Sequence, residues 1–585
     1  MYILGISCYY HDSSASLIKD GKVVAAAQEE RFTRKKHDIE FPINAIKWIL
    51  KKENIDINNI NYIAFYEKPM LKFERVLYQH LQSFPLSYKT FLSSLPGWFN
   101  ERLRIPKILK KKLKYKGDVL FIPHHMSHAA SSFLLSPFKE AAILTIDGVG
   151  EWTTTAYGFG KGNKIELKKE IKFPSSIGLL YSTITAYLGF TVNNAEYKVM
   201  GLAPYGDMTK KNPYYKKLKK TIDIKQDGSF RLNMKYFVYH YKDRMPSRKL
   251  CKLLGGKPKK REEELTQRHK DIAAALQLIT EEVVQKMLNH LYEETKCPNL
   301  VISGGCGLNS VNNGKILKNT KFKKIWIQPD AGDGGTSLGA AAYVYSTILN
   351  KKRRYEFNNS FLGPEFSTEQ IKKFLEKNKI KYSIFKTDKE LVKKAAKLLN
   401  EDNVIGWFQG KMEWGPRALG ARSILSNPTN PNMQEILNLK VKHREKFRPF
   451  APVVCEDDAL KFFDCDKPIP LPTDFMLMVY PIKEKWHKKI PSVTHVDGSG
   501  RLQTIRRKQN PLYYDTIKEF GSLSGIPILI NTSFNIRGEP IVCNPADAYK
   551  CMMGTGIDYL IMDKFLIKRE ENPQHMWDSE KYAKN

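Results

Sequence analysis

The chain has no uninterrupted apolar run of the ~18 residues that a membrane-spanning helix needs. Its opening stretch, MYILGISCYYHDSSA, has no basic region ahead of the apolar residues, and Asp12 interrupts it early. No secretory leader is therefore expected. The eight cysteines form no CxxC pair and no zinc spacing, which points to a reduced, cytoplasmic protein. No Walker A motif and no GxGxxG occurs in the glycine-rich loops, so neither standard phosphate fingerprint applies. Acids are also scarce: 61 Asp and Glu against 95 Lys and Arg leave a formal charge of +34. The densest cationic run is 102–116, RLRIPKILKKKLKYK, with eight bases and no acid. Such a run suits RNA, an anionic membrane surface or small anions. Lysine is spread through nearly every segment, however, so the excess reads as a solvated surface, with no membrane partner and no nucleic acid expected.

What is present is enough for folded domains. At 585 residues the chain can bury more than one core, and 42% hydrophobic with 11% aromatic residues excludes a wholly disordered polymer. YILGIS reads as a buried strand, and ASLIKDGKVVAAAQEE as a hairpin around Lys-Asp-Gly-Lys. At 141–171 the pattern returns: a buried strand, Asp147-Gly148, a second strand, a Gly-Lys-Gly-Asn turn and a third strand. The recurrence predicts an internal duplication. Helical periodicity over Ile43 to Lys52 and Ile272 to Tyr292 makes the class α/β. Residues 207–262 show little periodicity and are expected to be an insertion or mobile region. The polar stretch 349–360 predicts a boundary, giving domains of 1–355 and 361–585. In the second, one helical stretch (Thr368 to Asn378) and several apolar strands are expected.

In FIPHHMSHAASSF, Pro123 can start a helix, which sets His124 and His128 four residues apart on one face. Two imidazoles at that spacing can share a metal, although capping or core histidines have the same spacing. Asp147 and Asp333 sit at strand ends, where carboxylates that complete such a site usually lie. The turns SGGCGLN and AGDGGTSLG each follow a strand, and the second leads into an Ala-rich helix. With Asp147-Gly148 they make three turns able to present N–H groups to phosphate, although each alone could be a structural turn. The second lobe carries arginines in GPRALGARSIL, KHREKFRPF, HVDGSGRLQTI and NTSFNIRGEP. Four such clusters favour a pocket for a small anion over pairing with Glu413 or Glu539.

These motifs, together with GISCYYHDSSASLIKDGKVVAAAQEERFTRKKHD and EYKVMGLAPYG, run through both lobes in order. The whole chain resembles the carbamoyltransferases that modify nodulation factors, aminoglycosides, cephalosporins and other hydroxylated natural products. The resemblance implies a duplicated actin/Hsp70-like ATPase domain followed by a YrdC-like α/β domain. It further implies that carbamoyl phosphate yields carbamate in the second lobe. The carbamate passes internally to the first lobe, where ATP converts it to carbamoyl-adenylate, and an acceptor hydroxyl displaces AMP. The family pattern places a metal, usually iron(II), with Mg2+ as the alternative, on His124, His128, Asp147 and Asp333. It assigns ATP to Gly148, Lys198, Gly304, Gly305, Asn309 and Gly334, and carbamoyl phosphate to Arg417, Arg448, Arg501 and Asn531. His11 is the candidate general base for the acceptor hydroxyl, and 31–42 with 66–100 would line the acceptor pocket. A threonylcarbamoyl-type tRNA-modifying enzyme is the alternative, because similar lobes serve that pathway. A nucleotide-dependent switch without catalysis is disfavoured by the retained His, Asp and Arg residues.

Overall fold

A computed structural model describes residues 1–261, 263–445 and 447–572. The chain divides into two compact units, Met1–Ala26 with Ile39–Phe357, and Ala27–Asp38 with Asn358–Asn585. The polar stretch expected to separate the lobes contains this change of unit. The sequence gives no reason to set 27–38 apart from its neighbours. The contacts do so: Arg31 donates to the Gly415 carbonyl, and Arg34 to those of Pro540 and Ile541.

The first unit contains two five-stranded sheets. One uses β1 (Tyr2–Ser7), β2 (Ser14–Lys19), β3 (Lys22–Gln28), β4 (Tyr62–Phe65) and β5 (Asp118–Phe121) in the order β3-β2-β1-β4-β5. The other uses β6 (Glu140–Ile146), β7 (Thr153–Lys161), β8 (Lys164–Lys172), β11 (Asn299–Ser303) and β12 (Lys324–Ile327) in the order β12-β11-β6-β7-β8. Read from its hairpin edge, the second sheet repeats the first. In each, a meander of three strands is extended by two strands running parallel to its first member. The duplication expected from the recurring motif is therefore present as topology. Asp20 and Gly21, with φ of 49° and 82°, supply the two left-handed residues that a tight hairpin turn demands.

Helix α1 (Ile43–Glu53) connects β3 to β4, and α3 (Gln267–Thr295) precedes β11. Helices α2 (His124–Phe133) and α4 (Gly334–Tyr343) follow β5 and β12. These two pack on each other, with the backbone of Gly339 so close to Ser127 that a Cβ would lie 1.9 Å from its carbonyl oxygen. Segment 207–262 holds short elements instead of long periodic ones. They include a hairpin, β9 (Ile222–Ile224) with β10 (Phe230–Leu232), and helices Pro213–Lys219 and Arg248–Leu253. Tyr215, Leu218, Phe230, Phe237 and Leu250 are buried there. Elements this short leave no readable periodicity.

The second unit is built on a nine-stranded mixed sheet. Its strands are β13 (Ser383–Ile384), β14 (Ile405–Phe408), β15 (Arg422–Ser426), β16 (Ala451–Cys455), β17 (Met478–Pro481), β18 (Ser499–Ile505), β19 (Ile528–Ser533), β20 (Tyr559–Met562) and β21 (Phe565–Lys568). Their order is β13-β21-β20-β14-β15-β19-β16-β18-β17. Helix α5 (Thr368–Lys377) agrees with the expected helix, but it is one of several. Helices α6 (Asp388–Asn400), α7 (Pro511–Ser524) and α8 (Pro545–Met553) were not anticipated. Leu391, Ala395 and Leu399 of α6 and Ile517 and Phe520 of α7 bury against Trp407, Leu425, Val453 and Leu529 of the sheet.

Candidate functional site

Helix α2 begins at His124, directly after Pro123, as its sequence predicts. The Glu151 carboxylate accepts from the His124 N–H at 3.0 Å and from the Lys68 N–H at 2.8 Å, which fixes the helix start. Gly150 lies against the His124 ring, and a Cβ there would come within 2.9 Å of it. Thus placed, His124 and His128 point Nε2 at Nε2, 3.1 Å apart. Asp147, just beyond β6, brings Oδ2 to 3.3 Å from His124 Nε2. Asp333, between β12 and α4, brings Oδ1 to 3.5 Å from His128 Nε2 and 3.7 Å from His124 Nε2. The four donor atoms lie within 4.8 Å of one another, and all four residues are buried.

Burial alone would favour neutral forms, but the pair of carboxylates reverses this for His124, whose pKa is pushed up to about 9. Asp147 is held well below the usual carboxylate range against burial, by His124, His128 and the Gly305 N–H. Asp333 Oδ2 is buried and accepts no hydrogen bond among the described residues. Two facing imidazole nitrogens, two converging carboxylates and an unsatisfied carboxylate oxygen fit a first-row divalent cation. His125, the neighbour, is different: its Nδ1 meets Thr145 Oγ1 at 2.7 Å, and burial keeps it neutral.

The glycine turns border this cluster. Gly304 has φ +91° and ψ 158°, and a Cβ would sit 2.1 Å from the Ile146 carbonyl oxygen. Gly305 donates its N–H to Asp147 Oδ1 at 2.9 Å. Gly148 has open space where a Cβ would stand, and Gly334 opens α4 beside Asp333. Asn309 is placed differently: its amide exchanges hydrogen bonds with Gln277 and caps the short helix that starts at Ser310. Lys198 lies over the Phe190 ring, 5.5 Å from its centre.

His11 Nδ1 donates to Asp12 at 2.8 Å, and Nε2 donates to the Asn193 carbonyl at 2.5 Å. Burial would lower its pKa, but Asp12 raises it to about 10. A ring with both nitrogens donating is an imidazolium, which has no lone pair with which to take a proton from a hydroxyl. The arrangement therefore disagrees with the general-base expectation.

In the second unit, strand register brings Asn531 and Gln503 side by side, close to two of the residues expected to bind an anion. Asn531 of β19 pairs with Ala451 of β16, and Gln503 of β18 pairs with Val453 of the same strand. The Asn531 amide donates to Gln503 Oε1 at 2.5 Å and to the Ala418 carbonyl at 3.1 Å, while Gln503 donates to the Leu419 carbonyl. These bonds hold the loop carrying Arg417 against that face. Arg501 shares the face, being two residues from Gln503 on one strand. Arg448 lies three residues before β16. Asn531 Oδ1 is buried and has no hydrogen-bond donor among the described residues.

Other groups in this unit were missed or misread from sequence. Arg422 is not free to bind an anion: fully buried, it donates to the carbonyls of Gln409, Gly410, Ala421 and Pro364 and lies 3.6 Å from the Phe408 ring centre. Glu413 pairs with backbone instead of arginine, accepting the N–H groups of Leu419, Ala421 and Arg422. Lys442 is buried and donates to the Ser533 carbonyl and to Asn535. Burial, then Arg444, drives its pKa well below the lysine range. Sequence offered one signal for it, a lysine inside an arginine cluster.

Residues 2–342 match the family model described as carbamoyltransferase N-terminus, and residues 396–569 match that of the carbamoyltransferase C-terminus. An uncharacterized protein of Synechocystis sp. is 45% identical, covering 99% of this chain and 98% of that protein. Nodulation protein NolNO of Sinorhizobium fredii is 35% identical, covering 97% of this chain and 80% of its own length. Among solved structures, component A of (R)-2-hydroxyglutaryl-CoA dehydratase from Acidaminococcus fermentans aligns at a TM-score of 0.29 and 13% identity, over 60% of this chain and 99% of that one. With both family models matched in order over most of its length, the chain belongs to the carbamoyltransferase family and is a transferase.

Proposed function

We propose that this carbamoyltransferase transfers the carbamoyl group of carbamoyl phosphate to a hydroxyl of a small-molecule or sugar acceptor, at the expense of ATP. The observation that carries the reading is the convergence of His124, His128, Asp147 and Asp333 beside the Gly304-Gly305 turn. A buried N2O2 donor set next to backbone N–H groups suits a nucleotide polyphosphate better than it suits a purely structural core. An iron(II) or Mg2+ ion there would offset phosphate charge as pyrophosphate departs.

The residues divide the work. In the second unit Arg417, Arg448 and Arg501 bind the phosphate of carbamoyl phosphate through planar forks, and the unsatisfied Asn531 Oδ1 accepts from the carbamoyl amide. Water replaces phosphate and leaves carbamate. In the first unit a carbamate oxygen attacks the α-phosphorus of ATP, and pyrophosphate leaves. Gly148, Gly305 and the start of α4 at Gly334 supply N–H groups to the developing negative charge. The acceptor oxygen then attacks the carbamoyl carbon, the bond from that carbon to the AMP oxygen breaks, and the hydroxyl proton passes to the phosphate of the departing AMP. His11, as an imidazolium, would steady the anionic leaving group instead of removing the acceptor proton. Incubation with ATP, a divalent metal and labelled carbamoyl phosphate, without acceptor, tests the scheme. Pyrophosphate and a labelled adenylate are expected; adenylate made only from threonine and bicarbonate would move the chain to the tRNA pathway.

A further inference from the structure

Of the large hydrophobic side chains that stand exposed among the described residues, most fall in one short stretch: Met70, Leu71, Leu77, Tyr78, Leu81, Phe84, Leu86, Tyr88, Leu92 and Phe99. They lie on the helices Pro69–Gln82 and Tyr88–Asn100 and the turn between them. The first helix is inverted in its polarity. Lys72, Arg75 and His80 point inward and are buried, with Lys72 paired to Glu67, while Met70, Leu77, Tyr78 and Leu81 form an outward stripe. The second continues it with Tyr88, Leu92 and Phe99 at helical spacing. Phe73 packs its ring on Trp98 and Phe99, joining the helices into one hairpin, and Phe84 and Leu86 stand at its turn, 68% and 64% exposed.

Beside this hairpin runs the cationic segment. Arg102 lies over the Trp98 ring, and the helix Ile105–Leu113 buries only Ile105 and Leu109. Arg104, Lys107, Lys110, Lys111, Lys112, Lys114 and Lys116 are exposed. An apolar patch of this extent is not left bare in water without a counterpart. A second copy of this chain would set one cationic helix against another, so the charge selects an acidic occupant. An outward apolar stripe followed directly in the chain by a run of exposed lysines is the pattern of a segment that lies in a lipid interface.

We propose that the hairpin 69–100 and the helix Ile105–Leu113 form a docking surface for an anionic lipid bilayer, with Phe84 and Leu86 entering the acyl boundary and the lysines contacting headgroups. The chain would then work at a membrane face without crossing it. The sequence reading differs: it takes these lysines as dispersed solvation, expects no membrane partner and gives 66–100 to the acceptor pocket, because the outward direction of the apolar residues is not visible in a list of residues.

Sedimentation of the purified full chain with vesicles tests this. Vesicles containing roughly one-third phosphatidylglycerol should bind at least about tenfold more tightly than pure phosphatidylcholine, and binding should weaken several-fold in ~0.5 M NaCl. The double change Phe84→Ser and Leu86→Ser should lower binding about tenfold while leaving the cationic segment intact. Lys110→Glu with Lys111→Glu should remove most of the salt dependence, with the thermal transition of both variants unchanged. Equal, weak sedimentation with both vesicle types would overturn the proposal. So would a stable dimer in solution dissolved by the Phe84 and Leu86 changes, or salt-sensitive RNA binding without vesicle binding.

Discussion

His128 and Arg422 show how differently two buried polar residues can serve. His128 shares its Nε2 environment with His124 and Asp333, so His128→Ala should abolish stoichiometric divalent-metal binding and lower adenylate formation by at least about a hundredfold. Carbamoyl phosphate binding should persist, because the residues proposed for it lie in the other unit; metal analysis, a pyrophosphate assay and a carbamoyl phosphate titration read the three effects. Unchanged ATP turnover in a folded His128→Ala protein would contradict the assignment. Arg422 satisfies four carbonyls, and Arg422→Ala should cost about 3 kcal/mol or more, seen as a lower urea midpoint. His11 carries a pH signature. Its pKa is about 10 in the fold against an ordinary 6.5, so the His11–Asp12 pair stabilises fully below pH 6.5 and loses that contribution as pH rises toward 10. The stability difference between the native chain and His11→Asn should shrink over that window; a constant difference would mean that the ring is neutral. The sequence identified His124, His128, Asp147 and Asp333 because a helical repeat and strand ends are local signals. It missed Lys442 and Gln503, whose roles arise only when distant strands and loops meet, and it named Glu413 only as a possible arginine partner, not as the acceptor of nearby backbone N–H groups.

Among the elements, the strand-to-turn junctions of the second sheet matter most. Gly304 adopts a conformation nearly confined to glycine, with the Ile146 backbone where a Cβ would stand. Gly304→Ala should destabilise by about 3 kcal/mol and displace the end of β6, weakening metal binding through Asp147; thermal unfolding and metal titration would check it. The hairpins of the first unit were legible because alternating apolar residues around Asp-Gly and Gly-Asn turns encode them locally. The helices of the second unit were not. In α7, PLYYDTIKEFGSLS buries Tyr513, Thr516, Ile517 and Phe520 at helical spacing, but one of the four is polar and glycine and serine stand near the end, which blurs the apolar signal. The segment 207–262 escaped reading because its elements are too short to show a period.

At the scale of the whole molecule, the account rests on two chemistries placed in two units. Arg501→Ala should cripple use of carbamoyl phosphate while sparing adenylate formation when carbamate is supplied directly, from concentrated ammonium bicarbonate. Equal losses with either donor would argue against separate sites. The repeated sheet order of the first unit was foreseeable from its recurring motif. The grouping of 27–38 with the second unit was not, since it depends on Arg31 and Arg34 reaching carbonyls several hundred residues away. The central claim is that carbamoyl phosphate and ATP suffice to make an activated carbamoyl group. The most direct measurement incubates the metal-loaded chain with labelled carbamoyl phosphate and ATP, without acceptor, and follows pyrophosphate and labelled carbamoyl-adenylate. The account predicts both products in equal amounts. Folded, metal-loaded protein that forms neither would contradict it.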